Sequence, residues 1–169
     1  MKRPEWDEFW LVQALMYSTR ATCDRLLAAT VLVDKNNRLI SAGYNGSASG
    51  MPHCDEEGHC LVDGHCKTTI HSEDNALSKD RFEYEGASAY VVYSPCLSCA
   101  KKLIDAGVKK IFYLREFTNM AEGEKVYLKK LVMKKGVVFE HVGLDPRELI
   151  ENAVNILKSK GGALWPPSC

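Results

Sequence analysis

Two short stretches hold residue types that could do chemistry together. "TIHSEDNAL", residues 69–77, sets His71 two positions before Glu73, and "SPCLSCAKK", residues 94–102, contains Pro95-Cys96-x-x-Cys99. One imidazole and two thiols make the donor set of a catalytic zinc, which takes three protein ligands and keeps a fourth position open for water. At a helix start both sulfurs of a Cys-x-x-Cys can reach one centre, and the helix N-terminus favours their thiolate forms. Zinc held in this way acidifies its water toward neutral pH. Glu73, beside a ligand without being one, could take a proton from that water and pass it to a ring nitrogen, then to a leaving amine. His71, Cys96 and Cys99 are therefore the candidate metal ligands, and Glu73 is the candidate proton carrier. Neither half is specific alone, since free cysteines are common small apolar residues. Together they give H-x-E…P-C-x-x-C, a metal site with a proton carrier built in.

These side chains need a scaffold, and the chain is long enough to build one. Its 169 residues suit a single domain over the whole length, 1–169. The apolar share is 46% and the charged share 26%, as in soluble globular proteins. No run approaches the roughly 18 apolar residues of a membrane span, and the charged start "MKRPEWDEFW" lacks a secretory h-region, so a cytoplasmic location is expected. Lys+Arg and Asp+Glu are equal at 22 each, which excludes a global basic footprint for long nucleic acid but is silent on a single nucleotide. Seven cysteines, an odd number, without a secretory signal favour metal over disulfides.

Periodicity supplies the elements. Phe9, Leu11, Val12, Leu15 and Met16 at helical spacing predict a helix over 5–21. A buried strand over 26–34, a polar turn and a returning strand over 39–45 read as a hairpin. Residues 46–68 form a long polar stretch with three cysteines and three histidines, too long for an idle loop. Helices are expected over 71–82, 96–106, 124–135 and 146–160, with strands over 87–94, 108–114 and 136–142. Pro95 is expected to open the second of these helices and Gly107 to close it. The Pro-rich tail 161–169, with Trp165, cannot continue the last helix. The expected fold class is α/β, a three-layer α-β-α arrangement around a mixed five-stranded sheet.

Over residues 20–113 the chain resembles the cytidine and deoxycytidylate deaminase superfamily, most closely the deoxycytidylate (dCMP) deaminase branch that includes bacterial late-competence proteins. "SAGYNGSASG" is similar to that branch's Gly-Tyr-Asn-Gly loop. The likeness gives Asn45 a sugar hydroxyl and Gly43, Tyr44 and Gly46 an effector site. "TCDRL" resembles the branch's Cys-x-Arg segment and implies that Arg25 lies near the substrate phosphate. The insertion 46–68 resembles one bearing a second, structural zinc, which implies Cys23, Cys54, His65 and Cys66 as ligands, with Cys60, His59 and His53 in reserve. Ser94, Tyr113 and Arg115 are further expected substrate contacts, although Tyr113 reads equally well as core. Ser72 stands where the branch has Ala, a position whose backbone N–H faces the pyrimidine. The resemblance implies hydrolysis of dCMP to dUMP and ammonia for thymidylate synthesis, and a homo-oligomer, commonly a hexamer. It further implies activation by dCTP and inhibition by dTTP. Two alternatives stay open: a deaminase of another cytosine nucleotide or nucleoside (dCTP, deoxycytidine), or a non-catalytic zinc scaffold linked to DNA uptake. A scaffold would have no need of Glu73.

Overall fold

The computed structural model describes residues 3–77 and 83–160. Helix α1 (Trp6–Ser18) leads into strands β1 (Ala29–Val33) and β2 (Leu39–Tyr44). The insertion follows as β3 (Gly46–Ser47), α2 (Cys54–Glu57), β4 (Leu61–Val62), β5 (His65–Cys66) and β6 (Thr69–Ile70). Then come α3 (Ser72–Leu77), β7 (Ser88–Tyr93), α4 (Leu97–Asp105), β8 (Lys110–Arg115), α5 (Glu122–Lys135), β9 (Val138–His141) and α6 (Pro146–Lys160). The far end of the helix expected over 71–82 and the tail with Trp165 lie outside the described residues.

The five-stranded sheet runs β2-β1-β7-β8-β9. β1 is antiparallel to both β2 and β7, whereas β7, β8 and β9 are mutually parallel. This is the mixed sheet expected from a hairpin followed by right-handed strand–helix–strand crossovers. Every residue of β1 is buried, as a strand covered on both faces must be. Alternation divides its side chains between two cores. Ala29, Val31 and Val33 pack with Tyr90 and Val92 under α1 and Leu149 of α6. Leu32 packs with Ala89 and Val91 on the opposite face, under Ala76 of α3 and Leu103 of α4. Three layers result.

The seat of α3 is set by a missing side chain. A Cβ on Gly43 would lie 2.4 Å from the Ala76 backbone nitrogen and 2.5 Å from the Ser72 carbonyl oxygen. Only glycine lets this helix settle directly on β2. Ser41 Oγ donates to the Ala76 carbonyl at 2.8 Å and Asn75 Nδ2 to the Tyr44 carbonyl at 2.8 Å, which fixes the helix along the strand. Gly107, with φ of 108°, closes α4 as expected.

Three local expectations are corrected. β1 begins at Ala29 rather than residue 26, because the Ala28 N–H is taken by the Asn45 side chain at 2.7 Å instead of by a ladder. Pro95 precedes the helix cap, Cys96, and does not open the helix. The polar stretch 46–68 is not a plain loop: β3 pairs with β6, and β4 with β5, each over two residues.

Candidate active site and metal centres

His71 immediately precedes α3, with Glu73 in its first turn, while Cys96 caps α4 and Cys99 lies in its first turn. The two helices pack against each other, and Lys102 joins them by donating to both carboxylate oxygens of Asp74 at 2.7 and 2.8 Å. His71 Nδ1 lies 3.4 Å from Cys99 Sγ and 3.8 Å from Cys96 Sγ. A tetrahedral zinc with bonds of about 2.1–2.3 Å separates such donors by roughly 3.5–3.8 Å, so the residues fit the ion. Cys96 is pulled down to about 4 by its hydrogen bond with Cys99, burial opposing and His71 assisting, while Cys99 is pushed up by the same contact.

Glu73 is buried and is not one of the mutually close donors that include His71, Cys96 and Cys99 among the described residues. Burial pushes its carboxyl above the ordinary range, opposed by its own backbone N–H, His71 and Ser72. The Ser72 hydroxyl donates to Glu73 Oε2 at 3.0 Å and contacts Thr30 Oγ1 at 2.9 Å.

A cleft of about 210 Å³ opens onto His71, Glu73 and Cys96. Arg25 and Asn45 line it as expected, and so does Ser94. Arg25 Nη2 donates to the Gly64 carbonyl at 3.0 Å, joining two walls of the cleft. The Asn45 amide is committed to backbone, with Oδ1 accepting from Ala28 and Nδ2 donating to Leu26 at 2.7 Å, so its first duty is to shape the wall. Ser94 Oγ accepts from the Phe117 N–H at 2.8 Å and donates to Glu116 at 3.3 Å.

Several expected residues stand elsewhere. Tyr113 lies outside the cleft: its hydroxyl donates to Glu116 at 2.6 Å and its ring joins the core with Phe139. Arg115 is also outside it, directed to Asp145 ahead of α6 at 3.9 Å. The chain turns at Glu116, so Phe117 and Asn119 line the cleft instead. Asn119 was missed because a lone Asn after a strand carries no distinguishing pattern. Gly43, Tyr44 and Gly46, expected at an effector site rather than in the cleft, do not line the cleft; Gly43 seats α3, and Tyr44 packs on the core beneath α1.

A second cluster gathers Cys23, Cys54, His59 and Cys66. Cys54 and Cys66 Sγ are 3.6 Å apart, and Cys23 Sγ is 3.9 Å from His59 Nδ1, again the spacing of a tetrahedral ion. Burial opposes ionisation of Cys66, yet hydrogen bonds with Thr69, His59 and Cys54 outweigh it and bring the thiol down to about 5. The fourth member of this cluster is His59, where His65 was expected. Adjacent strand residues point to opposite faces, so once Cys66 of β5 faces Cys54, His65 must face away, and it lines the cleft. His59 Nε2 pairs with Asp24 at 2.8 Å, leaving Nδ1 toward the sulfurs. Cys60 is exposed and, with His53, stands outside the cluster.

The family profile described as the cytidine and deoxycytidylate deaminase zinc-binding region matches residues 4–115. ComE operon protein 2 of Bacillus subtilis (strain 168) is 38% identical over 149 residues, covering 86% of this chain and 75% of that protein. The deoxycytidylate deaminase of Mycobacterium phage D29 is 33% identical over 128 residues, covering 69% of this chain and 99% of the phage protein. In three dimensions the chain superposes on the dCMP deaminase of cyanophage S-TIM5, solved in complex with dCMP and dUMP, with a TM-score of 0.67. That match has 28% identity and covers 84% of this chain and all of the other.

Proposed function

The chain belongs to the cytidine and deoxycytidylate deaminase family, and from that premise we propose that it hydrolyses dCMP to dUMP and ammonia with a zinc ion at His71, Cys96 and Cys99. The observation that carries this reading is the buried Glu73 beside a one-nitrogen, two-sulfur cluster at the floor of a single cleft. Zinc in such a set would supply an acidified water near neutral pH. Glu73 is placed to take one proton from the attacking water on its carboxylate and donate it to cytosine N3, and then to carry the second of the water's protons to the departing amino nitrogen. Its burial keeps bulk water from competing for the proton. The reaction balances as dCMP plus water giving dUMP plus ammonia.

Arg25 is the one Arg or Lys among the described residues lining the cleft, which supports a substrate bearing a phosphate. The second cluster holds a structural zinc through Cys23, Cys54, His59 and Cys66. Assembly as a homo-oligomer with dCTP and dTTP as effectors, and supply of dUMP to thymidylate synthesis in the cytoplasm, complete the proposal. Among the described residues no helix is long and apolar enough to cross a membrane.

The test is the ultraviolet change of zinc-replete protein with dCMP, dCTP, deoxycytidine and CMP, each with and without effectors. Fastest turnover of dCMP, and its loss in Glu73→Gln, is the expected result. Arg25→Glu should abolish activity on nucleotides and spare deoxycytidine. Preference for another cytosine compound would replace the substrate, and inactivity on all four with zinc bound would overturn the enzyme reading.

A further inference from the structure

Three buried oxygen-bearing side chains form a line from the centre of the sheet to the cleft. Thr30 of β1 is 0% exposed, Ser72 2% and Glu73 6%. Their contacts are 2.9 Å between Thr30 Oγ1 and Ser72 Oγ and 3.0 Å between Ser72 Oγ and Glu73 Oε2. The direction follows from counting protons. A hydroxyl has one proton, and Ser72 gives its own to the carboxylate, so Thr30 must be the donor to Ser72. We infer that Ser72, held by Thr30, is a positioning residue that fixes the Glu73 carboxylate at the angle needed for proton delivery, an inference that rests on Glu73 being the proton carrier proposed above.

The physical argument is one of stiffness. A glutamate side chain has three rotatable bonds and an almost free terminal torsion. Thr30 is the opposite: a β-branched residue with few χ1 options, on a strand with neighbours on both sides. The two hydroxyls transfer that rigidity to the Glu73 carboxylate. Proton transfer depends steeply on such alignment, whereas binding of a nucleotide does not. Neither hydroxyl needs to touch the substrate for this effect. With Ala at position 72, Glu73 Oε2 would lose its donor and Thr30 its acceptor.

The experiment is steady-state kinetics of the zinc-loaded parent, Ser72→Ala, Thr30→Val, Thr30→Ser and the Ser72→Ala/Thr30→Val pair. Ser72→Ala should lower kcat about tenfold, the scale of a lost hydrogen bond to a charged group, with KM held within about twofold. Thr30→Val should lower kcat in the same way, and Thr30→Ser, which keeps the hydroxyl, should recover most of it. The double variant should be no slower than Ser72→Ala, because both changes cut one line. Unchanged kcat in Ser72→Ala, or losses that multiply in the pair, would overturn the inference. Crystal structures of zinc-loaded parent and Ser72→Ala read the same point without turnover: the Glu73 carboxylate should leave its parent position in the variant, and one that stays would overturn the inference. A parent inactive on dCMP would instead overturn the substrate reading, leaving the carboxylate position to decide this one.

Discussion

At the scale of single residues, the proposed chemistry rests on Glu73, buried at the cleft beside the His71, Cys96 and Cys99 cluster without being one of its mutually close donors among the described residues. Glu73→Gln keeps the shape and removes the proton carrier. Turnover should fall by about 10²- to 10⁴-fold, the range of general acid–base catalysis, while zinc content by atomic absorption stays at the parent value. His59 makes a different point. Its Nε2 is held by Asp24, a pairing that in metal sites fixes which nitrogen faces the ion. Asp24→Asn should weaken retention of the second metal by roughly 10- to 100-fold in a competition titration with a chelator, with the first metal unaffected. His71 with Glu73 and Cys96 with Cys99 were legible in the sequence because each pair sits within a four-residue window, where local geometry alone brings side chains together. The choice of His59 over His65 was not legible. It depends on which face of a two-residue strand carries Cys66, and so short a strand leaves no alternation to read.

At the scale of elements, the helix that carries Glu73 is placed by backbone meeting backbone. Gly43→Ala would put a methyl group 2.4 Å from the Ala76 nitrogen, and neither chain can withdraw without losing the Asn75 and Ser41 bonds. A destabilisation of about 2–3 kcal/mol is expected, seen as a lower midpoint in urea, together with weakened activity because α3 shifts as a unit. A midpoint equal to the parent's would show that the crossing has slack. The long helices and the strands of the central sheet announced themselves by period and by punctuation, as with Gly107 after α4. The insertion did not. Its pieces are two to four residues long; β4 and β5 pair locally, but β3 pairs with β6 across the whole insertion and the second cluster reaches back to Cys23, so much of its order comes from tertiary contacts rather than from pattern. Lys102 joins α3 to α4 through Asp74, a pair too far apart in sequence for any local pattern to mark.

At the scale of the whole molecule, two kinds of order coexist. The sheet and its helices are held by two apolar cores, whereas the insertion exposes Met51, Leu61 and Val62 and depends on its polar cluster. Stripping zinc with a strong chelator should therefore make the amides of residues 48–68 exchange rapidly and open that region to protease, while β1 and β7 stay protected. Equal protection with and without metal would show that the hairpins hold alone. The cleft inherits this division. One side is made of the helix starts clamped on the sheet, and the other of Gly64 and His65 from the β4–β5 hairpin with Phe117 and Asn119 from beyond β8. Behind the side against the sheet, Gly43 meets the main chain of α3, so a larger residue there has no room. In terms of descent, a lineage or an engineer seeking a new substrate has only the soft side to work with. Variation there could exchange one nucleotide for another, while the reaction itself stays locked in place by a glycine.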